Sequence, residues 1–498
     1  MSWNRPPRLL IRADAGEKIG SGHVMRCLAL ALAWRNSGGA VALVGEALPS
    51  ALAARFVEEK IAVNILTDEP GSTADAKRTA ALARGSNADW LVLDGYKFRA
   101  DYQRAVAQAG TRVLVNDDFG CLGDYACDLI LDQNLGARES SYARRETATQ
   151  LLLGSRFVLL RSEFLRCRPA LRETSVQARR ILVTLGGADA ENVTLKVLEA
   201  LTGLDAEIVA VIGPANVHGA ALEACARQSA GRIRLRHNAT DMPELMTWAD
   251  LAVSAAGTTA WELSFMGLPH LLIVLAENQR ESARMLDAAG AARNLGWHRD
   301  LQAEAIRAEV LRLLGNRELR AAMSARAAQV VDGQGASRVV TEMKSRLFTV
   351  RRAQNADCRQ VFEWANEPAT RAASFSSEPI PWENHAAWFA RKLHDLNCAF
   401  YFALDAQQRP VAQVRFDTED REATISVSVD ARARGGGTGS AVILAACREF
   451  FKTSHAETVS AFIKPENQPS LRAFARAGFE PAASDPSVAR LTLFRKGE

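Results

Sequence analysis

The amino-terminal part of the chain contains the stretch RADAGEKIGSGHVMRC (residues 12–27), which lies between an apolar run and a helical pattern. We predict a buried strand for the apolar run Leu9–Ile11. Apolar residues recur at helical spacing over Val24–Trp34, and Gly38 and Gly39 end that pattern. The sequence therefore predicts a strand, a glycine-rich loop and a helix in that order, as in a doubly wound α/β fold.

His23 falls in the first turn of this predicted helix, after Gly20 and Gly22. The free amides and the positive dipole end of a helix favour an anionic ligand and disfavour protonation of an imidazole. His23 is therefore a candidate proton acceptor beside an anionic substrate. From the spacing alone, a capping role on an ordinary helix is an equal alternative.

Length and composition indicate a globular chain with several domains. The 498 residues are too many for one core, and 48% of them are hydrophobic while 24% are charged. No apolar run approaches the roughly 20 residues of a membrane span, and residues 1–7 lack a secretory pattern, so we expect a cytoplasmic protein without membrane contact. The net charge of +4 is spread out and disfavours nucleic acid as a partner. The eight cysteines lack metal spacing and are expected to be reduced.

Apolar runs alternate with helical patterns along the first two thirds of the chain, which predicts parallel sheets wrapped by helices. A charged, proline-containing interval near 166–180 separates two such regions. We predict Rossmann-like domains over 1–165 and 166–348, forming a GT-B-like pair with a cleft between them. The composition changes after Phe348, and residues 349–498 are predicted to form a further α/β domain with antiparallel strands.

Two loops of the second predicted domain are candidate phosphate sites, because ligands collect at the carboxyl ends of parallel strands. Gly186 and Gly187 follow the predicted strand Ile181–Leu185. A second loop follows the predicted strand Leu251–Ser254, and Glu262 lies one helical turn further, where its carboxylate can accept hydrogen bonds from both ribose hydroxyls. The candidate residues of the second loop are Ser254, Gly257, Thr258 and Thr259.

Asn278 and Gln279 follow the predicted strand Leu271–Leu275 and are expected to face the same cleft. Asn278 can also cap a helix, and the two roles are compatible. No Asp-x-Asp motif of the kind that holds Mg²⁺ lies beside these loops, since Asp117 and Asp118 are adjacent. We therefore expect no metal, and amides, helix dipoles and hydroxyls would stabilise a leaving diphosphate.

Further motifs accompany residues 12–27: DGY (94–96), NDD (116–118), and LG (153–154) leading to LRSEF (160–164). Over about residues 8 to 345 the chain resembles the nucleotide-sugar hydrolases of pseudaminic acid biosynthesis, which release UDP from UDP-2,4-diacetamido-2,4,6-trideoxy-β-L-altropyranose. The resemblance implies that His23 is the catalytic base and that Tyr96 and Asn278 assist catalysis. It also implies that Gln279 contacts the ligand and that the loop from Ser254 to Glu262 holds UDP.

The last domain contains a strand pattern over Val427–Val429, a glycine cluster and a helical pattern from about Ser440 to Phe451. The spacing Arg434-x-x-Gly437-x-Gly439, together with NQPSLRAFARAGF (467–479), resembles the GNAT N-acetyltransferase fold. Relatives often carry a tyrosine general acid where Phe474 stands, so no general acid is assigned. The resemblance implies acetyl-CoA as a cosubstrate, with its pyrophosphate against loop amides. The acetyl-CoA-binding residues are expected to be Val429, Arg434, Gly435, Gly437, Gly439 and Asn467.

Three other segments of this domain, WANE (364–367), HAAWF (385–389) and QVRF (413–416), resemble the acetyltransferase that modifies the 4-amino group in the same pathway. His385 is expected to pack or to orient the substrate rather than to act as the base. Glu378 and a water molecule remain alternatives for that base.

The sequence therefore predicts a bifunctional enzyme. It would acetylate the 4-amino group of a UDP-amino-sugar and then hydrolyse the product, without a metal and with inversion, to UDP and a free sugar that a nonulosonic acid synthase can consume. A GT-B glycosyltransferase with a GNAT domain, and a nonenzymatic sensor of nucleotide sugars and acetyl-CoA, are the alternatives.

Overall fold

The computed structural model describes residues 5–16, 20–46, 48–168, 172–482 and 487–495. The chain divides into two units, of which the first holds Pro7–Arg35 and Gly39–Ala336. The second holds Ser337–Glu498 together with two short amino-terminal segments.

The first sheet of the first unit is wholly parallel. Its strands are β1 (Arg8–Ala13), β2 (Ala40–Gly45), β3 (Ala62–Ile65), β4 (Trp90–Asp94), β5 (Arg112–Asn116), β6 (Leu129–Asp132) and β7 (Gln150–Leu153). Its helices are α1 (Gly22–Asn36), α2 (Ser50–Glu58), α3 (Thr73–Gly85), α4 (Ala100–Ala107) and α5 (Ser162–Cys167). The strand order is β3-β2-β1-β4-β5-β6-β7. Strands β2 and β3 therefore lie on one side of β1, and β4 to β7 lie on the other side. A crevice forms at the carboxyl ends of β1 and β4, which are neighbours.

The second sheet of this unit is also parallel and repeats that plan. Its strands are β8 (Arg180–Thr184), β9 (Glu207–Ile212), β10 (Ile233–His237), β11 (Leu251–Ala255), β12 (His270–Val274) and β13 (Arg293–Trp297). The helices that follow in this unit are α6 (Val193–Leu201), α7 (Gly219–Gln228), α8 (Met242–Trp248), α9 (Thr258–Phe265), α10 (Arg280–Ala288), α11 (Ala303–Gly315) and α12 (Arg317–Val330). Helix α13 (Gly335–Ser345) begins at the end of this unit and lies mostly in the second. The order β10-β9-β8-β11-β12-β13 places its crevice between β8 and β11.

The core explains why these segments pair as parallel strands. Every residue of β4, β11 and β12 is buried, and apolar residues dominate all three segments. Strands that are covered on both faces need such continuous apolar runs, which helices on both sides of the sheet then bury.

The second unit contains a mixed sheet. Its strands are β14 (Thr349–Arg352), β15 (Cys398–Leu404), β16 (Pro410–Glu419), β17 (Glu422–Val429), β18 (Thr458–Ile463), β19 (Glu480–Ala482) and β20 (Ala489–Phe494). Its helices are α14 (Cys358–Ala365), α15 (Pro368–Ala373), α16 (Trp382–His394), α17 (Thr438–Thr453) and α18 (Gln468–Arg476). The parallel pairing of β17 with β18 covers Glu422–Thr424, and the rest of β17 as far as Val429 lies beyond it. The glycine cluster joins that diverging end of β17 to α17.

The strands predicted for the first two domains lie within a residue or two of the observed ones, while the short strands β3 and β7 were not predicted. The strand predicted over Val427–Val429 is the last part of the longer β17. The predicted domain boundaries at 165 and 348 stay predictions. Among the helices of the described residues, none combines the length and the apolar character that crossing a membrane requires.

Candidate active site

A cavity of about 860 Å³ lies in the first unit, and residues from both of its parallel sheets line it. The sequence-predicted residues that border this cavity are His23, Tyr96, Asn278, Gly20, Gly22, Gly186, Gly187, Gly257, Thr258, Thr259, Glu262 and Gln279. Glu17, Lys18 and Ile19 of the first loop lie outside the described residues. The fold therefore brings together loops that are far apart in the sequence, because each follows the carboxyl end of a parallel strand.

His23 is the second residue of α1 and is 8% exposed. Its Nδ1 lies 2.5 Å from Oδ1 of Asp94, the buried last residue of β4. A carboxylate accepts but does not donate, so the proton on Nδ1 points to Asp94 and the lone pair is on Nε2. No described protein atom forms a hydrogen bond with Nε2, and the residue borders the cavity. The pair leaves a proton-accepting nitrogen available to a ligand.

Arg26, one helical turn after His23, binds the same carboxylate. Its Nη2 and Nε donate to the two oxygens of Asp94, each at 2.7 Å, and its Nη1 donates to Asp118 at 3.0 Å. Burial by itself raises the pKa of Asp94, but the charge of Arg26 and the hydrogen bonds from Arg26 and His23 outweigh it and hold that pKa well below its usual range. Asp94 therefore stays ionised and fixes the orientation of the imidazole.

Tyr96 and Asn278 extend this network from one sheet to the other. The Tyr96 hydroxyl donates to Asp118 at 2.8 Å and accepts from Asn278 Nδ2 at 2.7 Å. The Tyr96 ring stands edge-on to the His23 ring, with centroids 4.9 Å apart. Burial and the charge of Asp118 raise the pKa of Tyr96, so its hydroxyl keeps its proton. The three residues implied in catalysis thus belong to one connected set of side chains.

The glycine loops bring backbone amides to the cavity. Gly186 has a φ of +90°, a conformation that favours glycine. Gly187 approaches Ser21 so closely that an added side-chain carbon would lie 2.7 Å from its hydroxyl oxygen. Gly257 precedes α9, whose first amides, from Thr258 onward, have no carbonyl of their own helix to bind. Such amides suit the diphosphate of a nucleotide.

Ser254 and Gln279 have partners within the protein. Ser254 is buried in β11, and its hydroxyl donates to the carbonyl of Ala255 at 3.1 Å rather than bordering the cavity. Gln279 accepts from the Leu275 amide at 3.0 Å and so holds the turn after β12. Asn278 lies in the 3₁₀ turn Glu277–Gln279, and its side chain contacts Tyr96 instead of capping a helix.

Glu262 lies on α9, borders the cavity and forms an ion pair with Arg161. Its Oε1 lies 3.0 Å from Arg161 Nε and 2.9 Å from Arg161 Nη2. Burial raises the pKa of Glu262, and the charge of Arg161 opposes that rise. Glu262, the residue predicted to bind the ribose, is therefore paired with Arg161, which the sequence analysis noted only as part of the LRSEF motif.

The glycine cluster of the second unit forms a tight loop before α17. Gly435, Gly436 and Gly437 have φ values of +83°, +53° and +79°. Gly439 lies in the first turn of α17. Consecutive left-handed residues ahead of a helix turn several amides to one side, as an anion site requires. The predicted pyrophosphate site at this loop stays a prediction.

The remaining predicted acetyl-CoA residues have structural partners. Arg434 donates from Nε to the Val429 carbonyl at 3.0 Å and from Nη2 to Glu367 at 2.6 Å. Asn467 caps α18 by accepting from the Ser470 amide at 3.2 Å. Their side chains therefore shape the loop and the neighbouring helix.

His385 is packed, as expected. It is 2% exposed, and its Nε2 lies 3.2 Å from the Cys358 carbonyl. Burial lowers the pKa of His385. Phe474 is also buried and packs edge-on against Phe479.

Sequence reasoning missed Asp94, Arg26, Asp118 and Arg161 as parts of the site. Asp94 carried a detectable signal, because a carboxylate at the carboxyl end of a buried parallel strand lies at the same edge of the sheet as the loop before His23. Within the described residues, no group of three or more His, Cys, Asp or Glu side chains could hold a metal ion. The expectation of a metal-independent reaction stays a prediction.

Two families match parts of the chain. Residues 180–339 match the glycosyltransferase family 28 C-terminal domain, and residues 348–480 match the acetyltransferase (GNAT) domain. The chain therefore joins a glycosyltransferase-like domain to an acetyltransferase domain.

Relatives along the sequence are distant. An uncharacterized protein of Methanocaldococcus jannaschii is 24% identical over 282 residues, covering 55% of this chain and 57% of that protein. The spore coat polysaccharide biosynthesis protein SpsG of Bacillus subtilis is 30% identical over 165 residues, covering 32% of this chain and 48% of that protein. The chain thus spans about half the length of these two curated relatives.

The fold has a counterpart among solved structures. A Listeria monocytogenes protein described as a candidate UDP-N-acetylglucosamine 2-epimerase superposes with a TM-score of 0.50 at 16% identity, covering 69% of this chain and 97% of that one. This likeness concerns the fold alone. With the GNAT match, it confirms the predicted α/β class, a GT-B-like pair followed by an acetyltransferase domain.

Proposed function

We propose that the first unit removes UDP from UDP-2,4-diacetamido-2,4,6-trideoxy-β-L-altropyranose by metal-independent hydrolysis with inversion. The observation that carries this proposal is the His23–Asp94 pair, which leaves Nε2 available in a cavity with loops suited to a nucleotide diphosphate. The acetyltransferase domain would make the substrate by acetylating the 4-amino group of the precursor UDP-amino-sugar. A nonulosonic acid synthase would consume the free sugar.

In the proposed hydrolysis, a water oxygen bonds to the anomeric carbon as the bond from that carbon to the UDP oxygen breaks. His23 Nε2 accepts the water proton, and Asp94 stabilises the imidazolium that forms. The diphosphate leaves with the bonding electron pair and is stabilised by amides near Gly186 and at the start of α9. Tyr96 and Asn278 orient the sugar or the attacking water.

In the proposed acetyl transfer, the sugar amine attacks the thioester carbonyl of acetyl-CoA. A carbon–nitrogen bond forms, the carbon–sulfur bond breaks, and coenzyme A leaves as a thiol while the amine loses a proton. Gly435, Gly437 and Gly439 give amides to the pyrophosphate, and Arg434 and Asn467 support that site. The thioester would lie at the diverging end of β17, near Val429.

Mass spectrometry of products tests this order of reactions. With the UDP-4-amino-sugar and acetyl-CoA, we expect coenzyme A, UDP and the free diacetamido sugar, while omission of acetyl-CoA should prevent formation of that sugar. Chelation by EDTA should leave both rates unchanged. Substrate binding without turnover would instead indicate a nonenzymatic sensor.

The match to a glycosyltransferase family favours one alternative, a glycosyltransferase in which a sugar or lipid acceptor replaces water. That enzyme would release UDP only when an acceptor is present. Release from the UDP-sugar alone therefore distinguishes the two reactions.

A further inference from the structure

Arg161, in the LRSEF motif (160–164), has no role in the proposed reaction, although its position is specific. It precedes α5, is 6% exposed and borders the cavity of the first unit. Its Nη1 donates to Glu163 at 2.8 Å, and its guanidinium lies 4.8 Å from the centre of the Phe164 ring. These contacts hold the guanidinium in one place, so that its other nitrogens reach Glu262.

The contact with Glu262 uses one carboxylate oxygen. Arg161 Nε and Nη2 lie 3.0 Å and 2.9 Å from Oε1. Within the described part of the chain, the other oxygen, Oε2, accepts no hydrogen bond. A carboxylate has about four acceptor positions, so two hydroxyl groups can bind Glu262 while Arg161 stays in place.

The charge of Arg161 matters because Glu262 is buried. Burial favours the neutral acid and raises the pKa of Glu262, and Arg161 is the main group that opposes this. A protonated carboxyl has a donor where a ribose hydroxyl needs an acceptor. Without Arg161, the carboxyl would also be free to rotate away from the ligand.

We infer that Arg161 is a positioning residue: it holds the Glu262 carboxylate toward the two ribose hydroxyls and thereby sets a preference for ribonucleotides over deoxyribonucleotides. The inference rests on the proposed binding of the UDP ribose by Glu262. It assigns Arg161 no contact with the nucleotide.

Calorimetry with UDP and 2′-deoxy-UDP on the full-length chain tests the inference. We expect the wild type to bind UDP about tenfold more tightly than 2′-deoxy-UDP, the difference typical of one hydrogen bond to a charged group. Arg161→Gln should weaken both ligands, since both keep the 3′-hydroxyl, but it should raise the Kd for UDP about tenfold more than the Kd for 2′-deoxy-UDP, so that the preference is lost. Arg161→Lys, which keeps the charge, should retain part of the preference.

Two controls separate positioning from a general structural effect. Arg156→Gln, at an exposed arginine next to Phe157, should leave both Kd values unchanged. In a Glu262→Gln background, Arg161→Gln should have no further effect on the ratio of the two Kd values, since the carboxylate it positions is gone. Thermal unfolding reports whether each variant folds, and Arg161→Lys supplies the comparison if Arg161→Gln does not.

The outcomes also separate this inference from the proposed function. If the wild type prefers UDP to 2′-deoxy-UDP and Arg161→Gln keeps that full preference, the inference alone is overturned. Equal weakening of both ligands by Arg161→Gln overturns it too, because the arginine would then bind another part of the nucleotide. Equal Kd values of the wild type for UDP and 2′-deoxy-UDP, together with an unchanged Kd for UDP in Glu262→Gln, overturn the proposed nucleotide site itself.

Discussion

His23 gains its proposed role from Asp94, a residue 71 positions away in the sequence. The carboxylate binds one ring nitrogen and leaves the other for chemistry. Arg26 keeps that carboxylate ionised through hydrogen bonds of 2.7 Å to both oxygens. A histidine in the first turn of α1 thus has one nitrogen that the protein binds and another that is available for the proposed proton transfer.

We expect His23→Asn to lower the rate of UDP release about 10²- to 10⁴-fold, the usual loss when a general base is removed. The Kd for UDP should change little, because the diphosphate and ribose ligands remain. Single-turnover release measured beside calorimetry checks both quantities. A folded variant that hydrolyses the UDP-sugar at the wild-type rate would exclude His23 as the base.

Asp94→Asn should lower the rate of UDP release about 10³- to 10⁴-fold, because an amide can donate to Nδ1 and leave the proton on Nε2. Rapid-quench kinetics at saturating substrate measures this effect. Cys27→Ser, which alters another side chain that contacts Asp94, serves as the matched control. Equal losses in the two variants would show that disturbed packing, and not the tautomer of His23, limits the reaction.

We expect Asp94, at the end of β4, and Asp118, two residues after β5, to make the stability of the first unit sensitive to acid. Burial raises the pKa values of Asp94 and Asp118, but Arg26 outweighs it and lowers both. Each carboxylate therefore holds its proton more weakly when folded than when unfolded, where the pKa is about 3.9. The stabilisation is present above about pH 4 and is lost as the pH falls below it.

We therefore expect the urea midpoint of unfolding to fall between about pH 5 and about pH 3. Asp118→Asn should make this dependence shallower, because one of the two depressed groups is removed. Denaturation curves at several pH values supply the measurement. An identical pH dependence in wild type and variant would show that Asp118 does not contribute.

We expect the loop before α17 to lose its proposed binding of the acetyl-CoA pyrophosphate when Gly437 is replaced by valine. A β-branched side chain is strained at a φ of +79° and would obstruct the approach of amides to the pyrophosphate. We expect Gly437→Val to abolish acetyl transfer while release of UDP from the diacetamido substrate continues. Separate assays of coenzyme A and UDP measure the two reactions. Acetylation at the wild-type rate would refute the loop assignment.

The sequence predicted elements better than contacts. The glycine loops and the helix carrying His23 follow from local patterns, because φ preference and apolar spacing are local properties. The pairing of His23 with Asp94 depends on β4 lying beside β1, which strand order decides. The contact of Arg161 with Glu262 could not be predicted, because it depends on how the chain turns after β7 and on where α9 places Glu262. Ser254 was predicted to face the ligand, but its hydroxyl is buried and donates to the Ala255 carbonyl. A loop pattern does not reveal which side chains point into the protein.

At the scale of the whole molecule, we expect the two proposed reactions to be separable. Each unit has its own core and its own candidate ligand loops. Expression of residues 1–348 and 349–498 should give one fragment that hydrolyses the UDP-sugar and one that acetylates the precursor. A soluble 1–348 fragment without hydrolase activity would count against the boundary predicted at Phe348.

The proposed hydrolysis requires the cavity of the first unit to direct water to the anomeric carbon. A proton NMR time course of the full-length chain with UDP-2,4-diacetamido-2,4,6-trideoxy-β-L-altropyranose and no other acceptor measures this reaction. We expect equal amounts of UDP and free sugar, with the inverted anomer appearing first. No release of UDP until a sugar or lipid acceptor is added, or first appearance of the retained anomer, would contradict it.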